Sequence, residues 1–244
     1  MIGGFQAAMK GGSVKGAAIL PDYTLGMATW LDFSDITKVY KDATNLVNTS
    51  GDKIYSVADK SGNGKNAVAL YTTNRATYRP NILNGLSVGV VEGAEVLMRL
   101  STLIKAVPYT IVFVFKLAGL TNDQRICDGT GRVIFGKINN QSTYHIYAGG
   151  AFVQYGTANL SAHIHTLENN NNGTSKIYLD AALASSGYVG AASVNNVSLF
   201  WSSGGGSGMQ IGGYIAEYRV YNSILSVENL AIVHNFLKQK WGIT

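Results

Sequence analysis

GMQIGGYIAEYRVYNSILSVENLAIVHNFLKQKWG, residues Gly208–Gly242, decides how this chain is read. Its first part alternates as a strand does, with Tyr214, Ala216, Tyr218 and Val220 on one face and Ile215, Glu217, Arg219 and Tyr221 on the other. Tyr221 and Asn222 end that strand, and Ser226 is placed to cap a helix by accepting from a free N–H of its first turn. Val227, Leu230, Val233, Leu237 and Trp241 then recur at helical spacing on one stripe, and Gly242 closes the helix. Such a stripe has to cover something, and the residues before it offer only a sheet.

Working backwards, Tyr109–Leu117 (YTIVFVFKL) is the most apolar run. Ile111, Phe113, Phe115 and Leu117 fill one face and Val112 and Val114 the other, the pattern of a central strand covered on both sides. Strand-length pieces follow at Arg132–Ile138, Thr143–Tyr147, Phe152–Tyr155, Ala162–Leu167, Lys176–Asp180 and Val197–Trp201, separated by Gly- and Asn-rich turns. Met27–Phe33 is a further strand ahead of a polar stretch that runs to Ile54. Residues 74–98 hold short strands broken at Asn84-Gly85 and Glu92-Gly93. The pattern predicts an all-β sandwich over residues 23–244. Residues 1–22 lack a sustained period and read as an N-terminal extended arm carrying Ile2, Phe5, Met9, Val14, Ile19 and Leu20. Those apolar groups suit docking against a partner subunit; a flexible terminus is the other reading of the same span.

Bulk properties narrow the function. The 244 residues include 29 glycines and 3 prolines, which favours one turn-rich domain. The net charge of +5 is dispersed, without the basic stripe of a nucleic-acid binder. Cys127 is alone, so no intrachain disulfide forms. The first twenty residues lack a signal-peptide core, and no stretch has the ~18–20 apolar residues of a membrane span, so neither secretion by that route nor membrane insertion is expected.

Several segments match a family in order: VADKSGNG (Val57–Gly64), RATYRPNILNGL (Arg75–Leu86), Glu92-Gly93, TIVFVFK (Thr110–Lys116) and IAEYRVYNSILSVE (Ile215–Glu228). In these the chain resembles the laminin-G-like branch of the concanavalin A-like lectin/glucanase superfamily, from about Met27 to Trp241. It departs from the pattern at Val57, Glu92 and Ala181. The resemblance implies a jelly-roll of two antiparallel sheets closed by the C-terminal strand and helix. It also implies a bacteriophage virion protein, such as a capsid decoration or a tail or fibre component. On that reading the arm anchors the domain to other virion proteins, with copies of itself as further partners, and no enzyme activity or cofactor is involved. The alternative is a lectin module that attaches to host-surface glycans, and a divergent glycoside hydrolase is a third reading.

Site chemistry is sparse in the sequence. Glu92, Glu95, Glu168, Glu217 and Glu228 form no cluster of the kind a glycosidase strand carries, and Glu217 has Arg219 as its same-face neighbour. His163 and His165 share a strand face and could hold a metal with a third ligand, or be hydrogen-bonded strand histidines. Asp59, Asn63 and Asn66 read as ties of a turn rather than as cation ligands. No metal site is therefore expected. Sugars stack their C–H faces on exposed rings, and Tyr144, Tyr147, Tyr155 and Trp201, near Asn-rich turns, could form such a platform. Core and rim packing is the other reading of those rings.

Overall fold

The structure, a computed structural model, describes residues 25–72, 75–91, 98–100, 104–120, 124–128, 133–138, 141–170, 174–195, 197–199 and 213–244. The arm with its six apolar anchors, and also Glu92, Glu95 and Trp201, lie outside the described residues. Two antiparallel sheets face each other in a jelly-roll sandwich, as the alternating segments predict. The first, of eight strands, runs in space Ala182–Gly187, Ser175–Leu179, His163–Asn169, Tyr109–Leu117, Gly213–Tyr221, Leu86–Val91 and Thr77–Leu83; Met27–Asp32 also pairs with Gly213–Tyr221. The second, of nine, runs Val153–Thr157, Thr143–Ala148, Val133–Lys137, Gln124–Asp128, Ser198–Leu199, Met98–Leu100, Ala67–Ala69, Ser56–Val57 and Val39–Tyr40.

Two apolar cores result. Ile111, Phe113, Phe115 and Leu117 enter the space between the sheets, where Phe113 meets Tyr218 and Phe135 edge to face. Val112 and Val114 point the other way, under the C-terminal helix Val227–Trp241. Ser226 accepts from the Asn229 N–H, and Gly242 takes the left-handed cap at φ 66°. Asn84, in a two-residue turn with Gly85 (φ 50° and 74°), donates its side-chain amide to the Lys240 carbonyl at the helix end. The helix buries Leu230, Val233, His234, Leu237 and Trp241. Val227, expected on the stripe, is instead 76% exposed at the first position of the helix.

The Gly213–Tyr221 strand departs from strict alternation. A bulge between Ile215 and Glu217 inserts one residue into its pairing with Tyr109–Leu117. Ile215 therefore joins Tyr218 and Val220 between the sheets, while Ala216 lies in the cluster under the helix. Glu217 reaches that same helix side and is filled there. Its Oε1 accepts from Trp30 Nε1 (2.6 Å) and from Arg219 Nε (2.6 Å) and Nη2, and its Oε2 from Lys240 Nζ (2.7 Å) and Trp241 Nε1 (2.9 Å). Asp32 pairs with Lys240 and Lys60 on the same side. Burial alone would raise the Asp32 pKa, but the two ammoniums overcome it and hold the carboxyl well below the usual range. First strand, last strand and helix are joined by one buried ionic knot.

Candidate functional site

The expected aromatic platform divides in the structure. Tyr144 and Tyr155 are 1% and 2% exposed and face the intersheet core. Tyr144 donates to the Asn159 carbonyl, and the Tyr155 hydroxyl lies 2.9 Å from His165 Nδ1. No sugar reaches either ring, so both are corrected from ligand contacts to core residues. The reason is pleat parity: Tyr144, Ile146 and Ala148 point inward, which leaves Thr143, His145 and Tyr147 on the outer face.

Tyr147 is half-buried on that outer face and tilts 32° against Phe152, whose centroid is 4.7 Å away and which is 43% exposed. Cross-strand pairing brings Gln154 opposite His145, one row along. Gln141 Oε1 accepts from Gln154 Nε2 (2.7 Å) and lies 2.9 Å from His145 Nε2. Two rings therefore stand beside two exposed amides. Phe152 reads in the sequence as a strand residue; it lies just ahead of the strand Val153–Thr157, and the sequence does not reveal that its ring packs on Tyr147.

A second concavity, of about 440 Å³, opens at the rim of the first sheet beside the end of the C-terminal helix. Its floor is the cross-strand pair Lys116 and Tyr214, with the ammonium 5.7 Å from the ring centre. His163, Asp180 and Ser161 form one wall. His163 Nδ1–H donates to Asp180 Oδ2 at 2.5 Å, and its Nε2 lies 2.8 Å from Asn159 Oδ1. Asp180 Oδ1 accepts from the Ile164 N–H. Asp180 and Ala181, with φ 50° and 74°, are the two turn residues between Leu179 and Ala182, and this turn aims the carboxylate back at His163.

The remaining candidates resolve into structural roles. His163 and His165 do share a face, but His165 is fully buried and stacked on Phe115 at 3.9 Å. Burial, with His163 nearby, pushes its pKa well below the ordinary histidine value. Among the described residues no three His, Cys, Asp or Glu side chains gather as a metal site requires. Asp59 accepts from the N–H groups of Trp30, Ser61 and Lys65, and Asn63 donates to the Met27 carbonyl, so this group ties its turn as expected. Glu217 and Asp32 share Lys240 but are only 1% and 3% exposed, and their oxygens are engaged within the knot. Glu168 is held by Tyr178 Oη at 3.0 Å, with its pKa raised by burial, and exposed Glu228 sits in the first turn of the helix. No described helix is long and apolar enough to cross a membrane.

No protein-family profile matches the chain, and no curated protein sequence does. Solved structures do share its fold. The receptor-binding domain of botulinum neurotoxin D matches with a TM-score of 0.57 at 14% identity, over 88% of this chain and 53% of that one. A botulinum neurotoxin type C structure, described for cell entry dependent on two ganglioside molecules, matches at 0.56 and 13%, over 87% and 51%. A Trypanosoma rangeli sialidase mutant with trans-sialidase activity matches at 0.56 and 14%, over 89% of this chain and 34% of that one. The chain thus spans about half of each neurotoxin domain and a third of the sialidase, and at these identities the likeness is one of fold.

Proposed function

We propose that this sandwich is a non-catalytic glycan-binding module whose sugar contacts lie on the outer face around Tyr147. The observation that carries the reading is the Tyr147–Phe152 ring pair beside the Gln141 and Gln154 amides. Ring faces accept the C–H surface of a pyranose, and amides orient its hydroxyls. Shared fold with a neurotoxin receptor-binding domain, and with a related ligand-binding domain described in complex with N-acetylneuraminic acid, supports it. The test is a glycan array followed by titration of the best ligand. Phe152→Ala and Tyr147→Ala should each weaken binding about tenfold or more with the melting temperature nearly unchanged. Full binding in both variants, or no bound glycan at all, refutes the site.

A second reading concerns setting. The apolar, glycine-rich span 1–22 favours a domain docked on a larger particle, with the virion as its location and other virion proteins as partners. Deleting residues 1–22 should leave thermal stability unchanged and abolish incorporation; normal incorporation of the deletion refutes anchoring.

A further inference from the structure

The concavity above Lys116 and Tyr214 is distinct from the Tyr147 face, since it lies on the first sheet rather than the second. Its volume falls within the ~300–1,000 Å³ of ligand pockets. Three chemistries meet in it. Tyr214 supplies a half-buried ring as floor, and Leu83 and Ile243 add apolar walls. The Lys116 ammonium stands over that floor. The Asp180 carboxylate is locked by His163 and the Ile164 N–H, so its orientation is fixed while it retains lone pairs for further donors.

An aromatic floor takes the C–H face of a sugar ring, a fixed carboxylate takes hydroxyl hydrogens, and an ammonium takes an anion. A neutral sugar uses the first two only. We infer that this cavity is a second binding site, selective for a sugar that bears a carboxylate. The carboxylate would pair with Lys116 Nζ, the ring would lie on Tyr214, and a hydroxyl would donate to Asp180. Ser161 lines the same wall, and its hydroxyl would add a donor or acceptor for the ligand. The inference rests on the glycan reading but uses none of the residues on which that reading depends.

The test titrates the full chain with methyl glucuronide and with methyl glucoside, which differ in the carboxylate, and follows binding by NMR. The expected result is glucuronide affinity about tenfold above that for glucoside, the size of one charge-assisted contact. The difference should shrink with added salt. Lys116→Gln should erase the preference, and Tyr147→Ala should leave it intact. Ser161→Ala, a milder change on the same wall, should weaken the glucuronide without reversing the preference. Equal binding of the two sugars, or a preference that survives Lys116→Gln, overturns the inference. If neutral glycans bind through Tyr147 and Phe152 with no carboxylate preference, the glycan reading stands and the cavity assignment falls. If no sugar binds at either place, both fall.

Discussion

Changing Glu217→Gln probes the knot that joins helix and sheets. Glu217 is 1% exposed and its two oxygens accept from five donors on four residues, Trp30, Arg219, Lys240 and Trp241. The glutamine keeps the shape but removes the charge, and it turns an N–H₂ towards donors. Arg219, 0% exposed, is left as a buried cation without its carboxylate. Burial by itself lowers the Arg219 pKa, and Glu217 first, with Tyr221 beside it, raises it above the usual value. Breaking a buried pair in this way costs about 3–5 kcal/mol, a large share of a typical 5–15 kcal/mol total. Urea unfolding followed by tryptophan fluorescence suits the question, because Trp30 and Trp241, two of the chain's three tryptophans, donate to this carboxylate. With a slope of about 2–3 kcal/mol per molar, the midpoint should fall by roughly 1–2.5 M. Glu228→Gln, exposed in the first helical turn, is the control and should shift it far less. A Glu217→Gln midpoint within about 0.3 M of wild type, at unchanged slope, would refute the reasoning.

Further expectations follow from single residues. Ala181 sits at φ 74°, where a Cβ is strained, so Ala181→Gly should stabilise by about 1 kcal/mol and raise the melting temperature by ~2–4 °C; an unchanged or lower value contradicts it. Burial, with Lys238 nearby, holds the His234 pKa at about 4, below its ordinary 6.5. The unfolded chain therefore binds the extra proton between those values, so stability falls as pH drops from about 6.5 to 4. His165 adds to the fall in the same sense. Urea midpoints across that range should change less steeply in His234→Gln, and an identical slope contradicts the assignment. Tyr218 Oη is buried without a hydrogen-bond partner among the described residues, so Tyr218→Phe should be neutral or stabilising by up to about 1 kcal/mol; a loss above ~2 kcal/mol in urea unfolding shows an essential contact.

Much of the architecture was legible because each period is a local property. Tyr109–Leu117 reads as doubly covered from its own letters, and Ser226 and Gly242 mark both ends of the helix. What failed was what depends on pairing. The bulge at Ala216 cannot be seen without the Tyr109–Leu117 partner strand, and it moved Ile215 to the opposite face from the one expected. Ala182–Gly187 is an edge strand of small residues apart from an exposed Leu183, and it has no apolar alternation to detect. Tyrosines Tyr144, Tyr147 and Tyr155 are chemically alike in sequence, and only the pleat separates the two core rings from the outward one. Lys116 and Tyr214 are 98 positions apart, a distance closed by register alone.

The most direct measurement is chemical-shift mapping of the isotope-labelled chain against a glycan selected by array. Perturbations should cluster at Tyr147, Phe152 and Gln154 and be lost in Phe152→Ala. An array without a single bound glycan, or shifts that leave the outer face of the second sheet untouched, would contradict the glycan reading.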